Sequence, residues 1–356
     1  MGTGLTIACA LAAIGCAPSP PVTLEQDAYV WQRNWTEPVR AAVASAPAEL
    51  RGLRVLVADV AKGEHTLAIL PVDPAALREA HRPITLVVRV DGAQPIAELS
   101  LAPAIAAARA WGVPIAGLEV DHDCATARLA DYAAWLRAQR PAGVRFSITA
   151  LPAWATSPAL AEVAATVDEL VVQVHAVRAP KIFDPVAARR GLLAFAGAVP
   201  AARLRVALPT YSASVHGELL TVDPAVVGAF VDELKRSPVS GVIGIVWFRL
   251  PVAGDDQTWS SATFAGVIGA PATAGVQVTL RDRGDDRVDI IATNSSQAPA
   301  ELPGVRLDGE VIAAELVSGY QPRGDRQWAA PHHQLAAGAS QAIGWARGKA
   351  LHVATD

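Results

Sequence analysis

The sequence is poor in the residues that announce most simple functions. Its 356 residues include three cysteines and one methionine, and only 5% are aromatic and 18% charged. Lysine occurs only at Lys62, Lys181, Lys235 and Lys349, and the net charge of −4 comes without a basic run. That excludes a nucleic-acid binder working by phosphate neutralisation. Gly and Pro, at 27 and 26 residues, are too few for a collagen-like or low-complexity chain. No glycine-rich phosphate turn follows the first strand-like run, which argues against a doubly wound dinucleotide-binding sheet. Beyond the N-terminus no apolar run approaches the ~20 residues of a membrane-spanning helix.

The N-terminal apolar run, residues 4–15, suits the core of a signal peptide. It ends in Ala13-Ile14-Gly15-Cys16, which resembles a bacterial lipoprotein cleavage site, so Cys16 is the expected lipidation site; an ordinary secretory cut near Ala17 is the alternative. Residues 1–16 are thus read as an export segment and 17–27 as a linker. The reading predicts a protein anchored by lipid and facing the periplasm or the cell exterior. Cys9 would leave with the peptide and Cys16 would carry lipid, so Cys124 has no intramolecular disulfide partner.

From residue 28 to 270, short strand-like runs alternate with Ala-rich helical stretches. The runs are 28–33, 53–60, 84–92, 115–123, 144–151, 169–176, 204–212 and 242–250. Leu129, Tyr132, Ala133 and Leu136 show helical spacing, and Asp223-Pro224 is a helix cap followed by a first-turn proline. Eight strand–helix pairs in this length predict an α/β fold, a (β/α)8 TIM barrel. The segment HTLAILPVD leaves open which run is the third strand. Residues 275–356 show only short alternating runs split by Gly, Asn, Asp and Pro, which predicts a small C-terminal antiparallel β-sandwich-like domain.

Barrel sites form at the C-terminal ends of the strands. In the fourth run Glu119, Asp121 and Asp123 alternate, sharing one face about 7 Å apart. Like charges so close raise at least one pKa, and a carboxyl protonated near neutrality can act as a general acid. The other strand ends offer Trp31 and Arg33, Arg89 and Asp91, Gln173 and His175, Tyr211, and Trp247 and Arg249. Carboxylates among aromatic rings and hydroxyl-binding groups suit a sugar. A structural ion-pair network with Arg33, Arg89 or Arg249 is the competing explanation. His122 points to the opposite face, so Asp121, His122 and Asp123 cannot share a metal; no metal and no cofactor is expected.

The stretch AGLEVDHD, 116–123, resembles the DGxDxDxE strand of glycoside hydrolase family 18. The family's proton donor falls on Asp123, its preceding acid on Asp121 and its earlier one on Glu119. ALPTYS (207–212) and GIVWFRLPVAGDD (244–256) extend the likeness, which puts Trp247 on the family's floor tryptophan. The chain is still more similar to a bacterial family of secreted proteins, domain of unknown function 3142. YVWQRNW (29–35), LVVRVDG (86–92), GLEVDHDCATARLADY (117–132), SITALPAW (147–154) and VVQVHAV (171–177) carry that match. The chain departs from family 18 at Asp123, one methylene shorter than the family's Glu, at Ala116, and at Gln173–His175 in place of an aspartate.

The resemblance implies a glycoside-hydrolase-like barrel with Asp123 as general acid, Asp121 as its orienter and Glu119 as deeper support. Trp31, Trp247 and Tyr211 would form the sugar platform, and Gln173, His175 and Arg249 would bond hydroxyls. The alternative is a non-catalytic glycan-binding lipoprotein on the same barrel; a purely structural envelope protein is the third reading. The expected partner is a carbohydrate, with no nucleic acid, membrane contact only through the anchor, and a monomeric state.

Overall fold

A computed structural model describes residues 22–60, 64, 66–91, 96–176, 181–215, 218–255, 257–269, 276–294, 299–331, 333–336 and 338–355. The export segment with Cys16 lies outside the described residues.

Eight strands alternate with eight helices. In order these are β1 (Glu25–Val30), α1 (Glu37–Ala44), β2 (Gly52–Val60), α2 (Pro74–Glu79), β3 (Ile84–Val90), α3 (Ala102–Arg109), β4 (Ile115–His122) and α4 (Leu129–Gln139). There follow β5 (Arg145–Ala150), α5 (Leu160–Thr166), β6 (Glu169–Gln173), α6 (Pro185–Ala198), β7 (Leu204–Pro209), α7 (Pro224–Arg236), β8 (Val242–Phe248) and α8 (Ser261–Ile268). Each strand pairs in parallel with the next, and β1 pairs with both β2 and β8, closing a (β/α)8 barrel.

Local chemistry explains the alternation. The strands are rich in Val, Leu and Ile because helices cover one face and the barrel interior covers the other. Three helices start at Asp-Pro pairs: Asp73, Asp184 and Asp223 accept hydrogen bonds from first-turn amides, and the proline after each occupies a position whose amide has no helical partner. The segment after β2 contributes only Ala68–Ile69, paired antiparallel to β2 outside the ring. Ile84–Val90 therefore supplies the third barrel strand. β1 begins at Glu25, three residues before the run seen in the sequence, because Glu25 and Asp27 find cationic partners inside the barrel.

Alternation along the strands separates two cores. Residues such as Val55, Leu86, Leu118, Ile148, Val172, Val206 and Trp247 face the helices. Tyr29, Val87, Val171, Ala207 and Val246 form a second cluster inside the ring, against which Trp31 and Phe248 pack.

The C-terminal part is a six-stranded antiparallel sheet of β9 (Val276–Gly284), β10 (Arg287–Asn294), β11 (Val305–Leu316), β12 (Gln321–Gly324), β13 (Gln327–Ala329) and β14 (Ser340–Thr355). Its order is β9-β10-β14-β11-β13-β12. β9 turns into β10 through Asp285 and Asp286, both left-handed, as a tight hairpin requires. The sheet has its own core, including Ile290, Leu307 and Ile343, and a two-stranded ladder of Ala300–Glu301 with Gln334–Leu335 stands beside it. Among the described residues no helix is long and apolar enough to cross a membrane.

Candidate active site

The lower half of the barrel is filled by charge. Arg54 of β2 contacts Asp27 at 3.0 Å, Glu169 at 2.6 Å and also Glu119. Arg205 of β7 reaches Glu169 at 2.9 Å and Glu25 at 2.6 Å. Gly244 makes this possible, since a Cβ there would collide with the Arg205 guanidinium and the Glu25 carbonyl. Burial opposes the charge on Arg54, but the three carboxylates outweigh it and raise its pKa. Burial likewise favours neutral Glu169, and Arg54 and Arg205 reverse that, holding its pKa below the usual carboxylate range.

Glu119 belongs to this network. It is completely buried and accepts hydrogen bonds from Tyr29, Arg54 and Ser147. Its carboxyl is bonded to side chains of β1, β2 and β5 inside the barrel.

One step higher, at the open end, the inward residues are Trp31, Arg89, Asp121, Thr149, Gln173 and Phe248. Asp121 is half-buried, and Thr149 of the neighbouring strand donates its hydroxyl to Oδ1 at 2.7 Å. Burial raises the Asp121 pKa to about 7; the Thr149 hydrogen bond works against this, the charge of Asp123 adds to it, and Arg89 opposes it. Thr149 occupies Oδ1, so the proton of the neutral form belongs on Oδ2. A carboxyl poised this way can donate a proton near neutral pH. Asp123 lies just past the end of β4 and is exposed at the rim.

The aromatic wall differs from the expected one. Trp247 is fully buried and faces the helices, where it packs on Trp259 and Phe264 and donates to Gln26 at 2.9 Å. Buried there, Trp247 presents no ring to the mouth; the inward aromatic of β8 is Phe248. Phe248 sits at the centre of a ring cluster, 5.0 Å from Trp31, 5.6 Å from Tyr29 and Tyr211, and 5.7 Å from His175, on which it stacks.

His175 and Tyr211 are joined at 3.2 Å, and Tyr211 also donates to the Ala176 carbonyl. Burial drives the His175 pKa down to about 3 and raises that of Tyr211. Both are therefore neutral across the physiological range. With the Tyr211 proton on Ala176, His175 donates from Nδ1 and keeps a lone pair on Nε2.

The remaining candidates divide. Arg33 is exposed and pairs with Asp59, and Arg249 pairs with Asp255 at 2.6 Å, so neither guanidinium is an uncommitted charge. Arg89 lies in register between Asp59 and Asp121, and Asp91 follows β3 at the rim. Gln173 stands on the inward face of β6. His122 is buried on the outer face, beside Tyr132 and the Val90 carbonyl, and burial lowers its pKa. Burial pushes the Cys124 thiol up to about 11, which makes it a poor nucleophile. Among the described residues no group of three His, Cys, Asp or Glu side chains could hold a metal ion.

Sequence reasoning missed Phe248 and Thr149. Thr149 was accessible, since it shares a face with Ser147 one strand from Asp121. Phe248 was not, because VIGIVWF is apolar on both faces and its alternation carries no inward–outward signal.

Three solved structures illustrate what the chain is similar to. The spore cortex-lytic enzyme SleL of Bacillus cereus aligns with a TM-score of 0.48 and 14% identity, over 65% of this chain and 72% of that one. SleL of Bacillus megaterium gives 0.47 and 11%, over 66% and 72%. A chitinase from Bacteroides thetaiotaomicron gives 0.47 and 12%, over 64% and 90%. No curated protein matches the chain. Residues 80–219, which include β3 through β7, match the family described as Domain of unknown function (DUF3142).

Proposed function

We propose that this protein is an exported glycoside-hydrolase-like barrel that acts on an envelope or extracellular glycan. The observation that carries the reading is Asp121, a carboxyl with a pKa of about 7 inside a mouth walled by Trp31, Phe248, His175 and Tyr211. The rings stack on the C–H faces of a sugar, and Gln173, the neutral His175 and Arg89 bond its hydroxyls. The Asp121–Asp123 pair supplies the proton that the glycosidic oxygen takes up as its bond to the anomeric carbon breaks; the oxygen of a water molecule bonds to that carbon, and the water's proton returns to the pair. Asp121 stores it at neutral pH and Asp123 stands at the rim where the leaving group departs.

The exposure of Asp123 supports a second reading, a barrel that binds the glycan without cleaving it. A reducing-end assay on a panel of envelope and plant polysaccharides separates the two. The protein lacking residues 1–16 is compared with Asp121→Asn and Asp123→Asn, and binding is followed by calorimetry. Loss of release with retained binding supports hydrolysis. Binding without release from the parent protein supports the second reading, and equal release by parent and variants removes both acids from the chemistry. Export and anchoring rest on residues 4–16: Cys16→Ala should move the protein out of the membrane fraction, and unchanged fractionation would refute the anchor.

A further inference from the structure

The inward residues at the mouth fall into two arcs. Trp31, Phe248 and Tyr211 make the aromatic one, on β8 and just past the ends of β1 and β7. Arg89, Asp121 and Thr149 make the polar one, side by side on β3, β4 and β5. A sugar stacked on the rings turns its edge to the polar arc.

Arg89 differs from the other arginines around it. Arg33 is held by Asp59 and Arg249 by Asp255. Arg89 is half-buried and has no hydrogen-bond or ion-pair partner among the described residues. None of its nitrogens is sealed away from solvent, so the guanidinium is open to the mouth. Its neighbours in register leave its charge unmatched. Asp59 is engaged by two nitrogens of Arg33. Asp121 makes no ion pair with Arg89 and, with a pKa of about 7, is largely neutral in mildly acidic solution. An unpaired guanidinium forgoes the strongest bond open to it, the two-pronged one to a carboxylate. A sugar hydroxyl meets one donor of that fork and leaves the charge unanswered.

Position adds to this. Arg89 and Asp121 are register partners on adjacent strands, whose backbones lie about 4.8 Å apart. In a pyranose the glycosidic oxygen and the exocyclic carbon are borne by the two carbons that flank the ring oxygen, so they share one edge. With the glycosidic oxygen at Asp121, the exocyclic group can therefore reach the next strand, where β3 presents Arg89.

We propose that Arg89 selects a carboxylate on the sugar unit whose glycosidic bond meets Asp121, which makes the ligand a glycan of uronic acids rather than of neutral sugars. The inference rests on the glycan reading above and adds the charge class of the ligand. Asp123 does not oppose it, because it stands exposed at the rim, where water and salt screen its charge.

The test is calorimetric binding of four-unit oligomers of β-1,4-mannuronate, α-1,4-galacturonate and β-1,4-glucuronate, each beside its carboxyl-reduced form. The parent should bind the acid of one pair about tenfold more tightly than the reduced form, with the margin shrinking as salt rises. Arg89→Met should lose about thirtyfold for that acid and about threefold for the reduced form, the difference between a bond to a charged and to a neutral group. Arg89→Lys keeps the charge without the fork and should fall between the two for the acid. Should Arg89→Met not fold, Arg89→Lys carries the test, since its loss must again be larger for the acid. Equal losses for acid and reduced form would mean that Arg89 bonds a hydroxyl or only tunes Asp121, and would overturn the selection. A parent that binds the reduced forms as tightly as the acids would overturn it too, and either result leaves the glycan reading standing. Failure of the parent to bind any member would overturn the glycan reading, and the selection with it.

Discussion

Thr149 Oγ1 donates to Asp121 Oδ1 at 2.7 Å across the β4–β5 pair. This bond stabilises the charged carboxylate, and it is the strongest influence opposing the burial that lifts the pKa to about 7. Thr149→Val keeps the shape and removes the donor. The midpoint of the Asp121 titration should move to higher pH by about one pH unit, the worth of one hydrogen bond to a charged group. Carbon NMR of the carboxyl reads this directly. In an active enzyme the alkaline limb of the pH–rate profile moves with it, and an unmoved midpoint would disconnect Thr149 from the acid.

Asp121 and His175 make opposite contributions to stability against pH. The folded pKa of Asp121 is raised, so its contribution is fully present below the unfolded value near 4 and is lost as pH rises through about 7. Asp121→Asn should therefore be more stable than the parent at pH 8, by at most ~4 kcal/mol, and the gain should shrink toward pH 4. The folded pKa of His175 is depressed to about 3, so its contribution is present above the unfolded value near 6.5 and declines as pH falls toward 3. His175→Gln should flatten the acid side of the stability curve. Melting temperatures from pH 3 to 9 check both, and parallel curves for parent and variants would contradict both assignments.

The barrel was legible in the sequence because eight apolar runs alternate with helical spacing, and that pattern survives errors at individual strands. What sequence patterning misses is charge turned inward. Glu25 and Asp27 read as the end of a polar linker, yet they are the first inward residues of β1, because Arg205 and Arg54 lie opposite them on strands 180 and 27 residues away. The strand-four acids stood out by their alternation, but their separate fates were not readable. Glu119 is distinguished from Asp121 by Arg54 and Tyr29, partners that the sequence does not place near it.

Arg54 is the single cation in contact with Asp27, Glu119 and Glu169 together among the described residues. Arg54→Met removes it and leaves three buried carboxylates with less compensation. Breaking a buried pair from one side costs about 3–5 kcal/mol, because the remaining charge is stranded. The variant should unfold at markedly lower denaturant or fail to accumulate. Adding Glu119→Gln should recover part of the loss, since it removes one stranded charge. Chemical denaturation of both variants checks this, and a single variant as stable as the parent would show that the network is dispensable.

The adjacent residues Trp247 and Phe248 make a paired prediction, because β8 turns them to opposite sides of the barrel wall. Trp247 is fully buried against Trp259 and Phe264, so Trp247→Ala should cost about 3–5 kcal/mol in stability. It should leave ligand affinity nearly unchanged in the fraction that stays folded. Phe248 is partly exposed and contacts the rings of Tyr29, Trp31, His175 and Tyr211. Phe248→Leu conserves much of the packing and should cost under about 1.5 kcal/mol, while it removes the ring on which the mouth aromatics converge and weakens sugar binding by about tenfold. Thermal melts and calorimetry on the two variants separate the effects. If Trp247→Ala lost affinity and Phe248→Leu kept it, the inward face of β8 would have to be reassigned, and with it the floor of the candidate site.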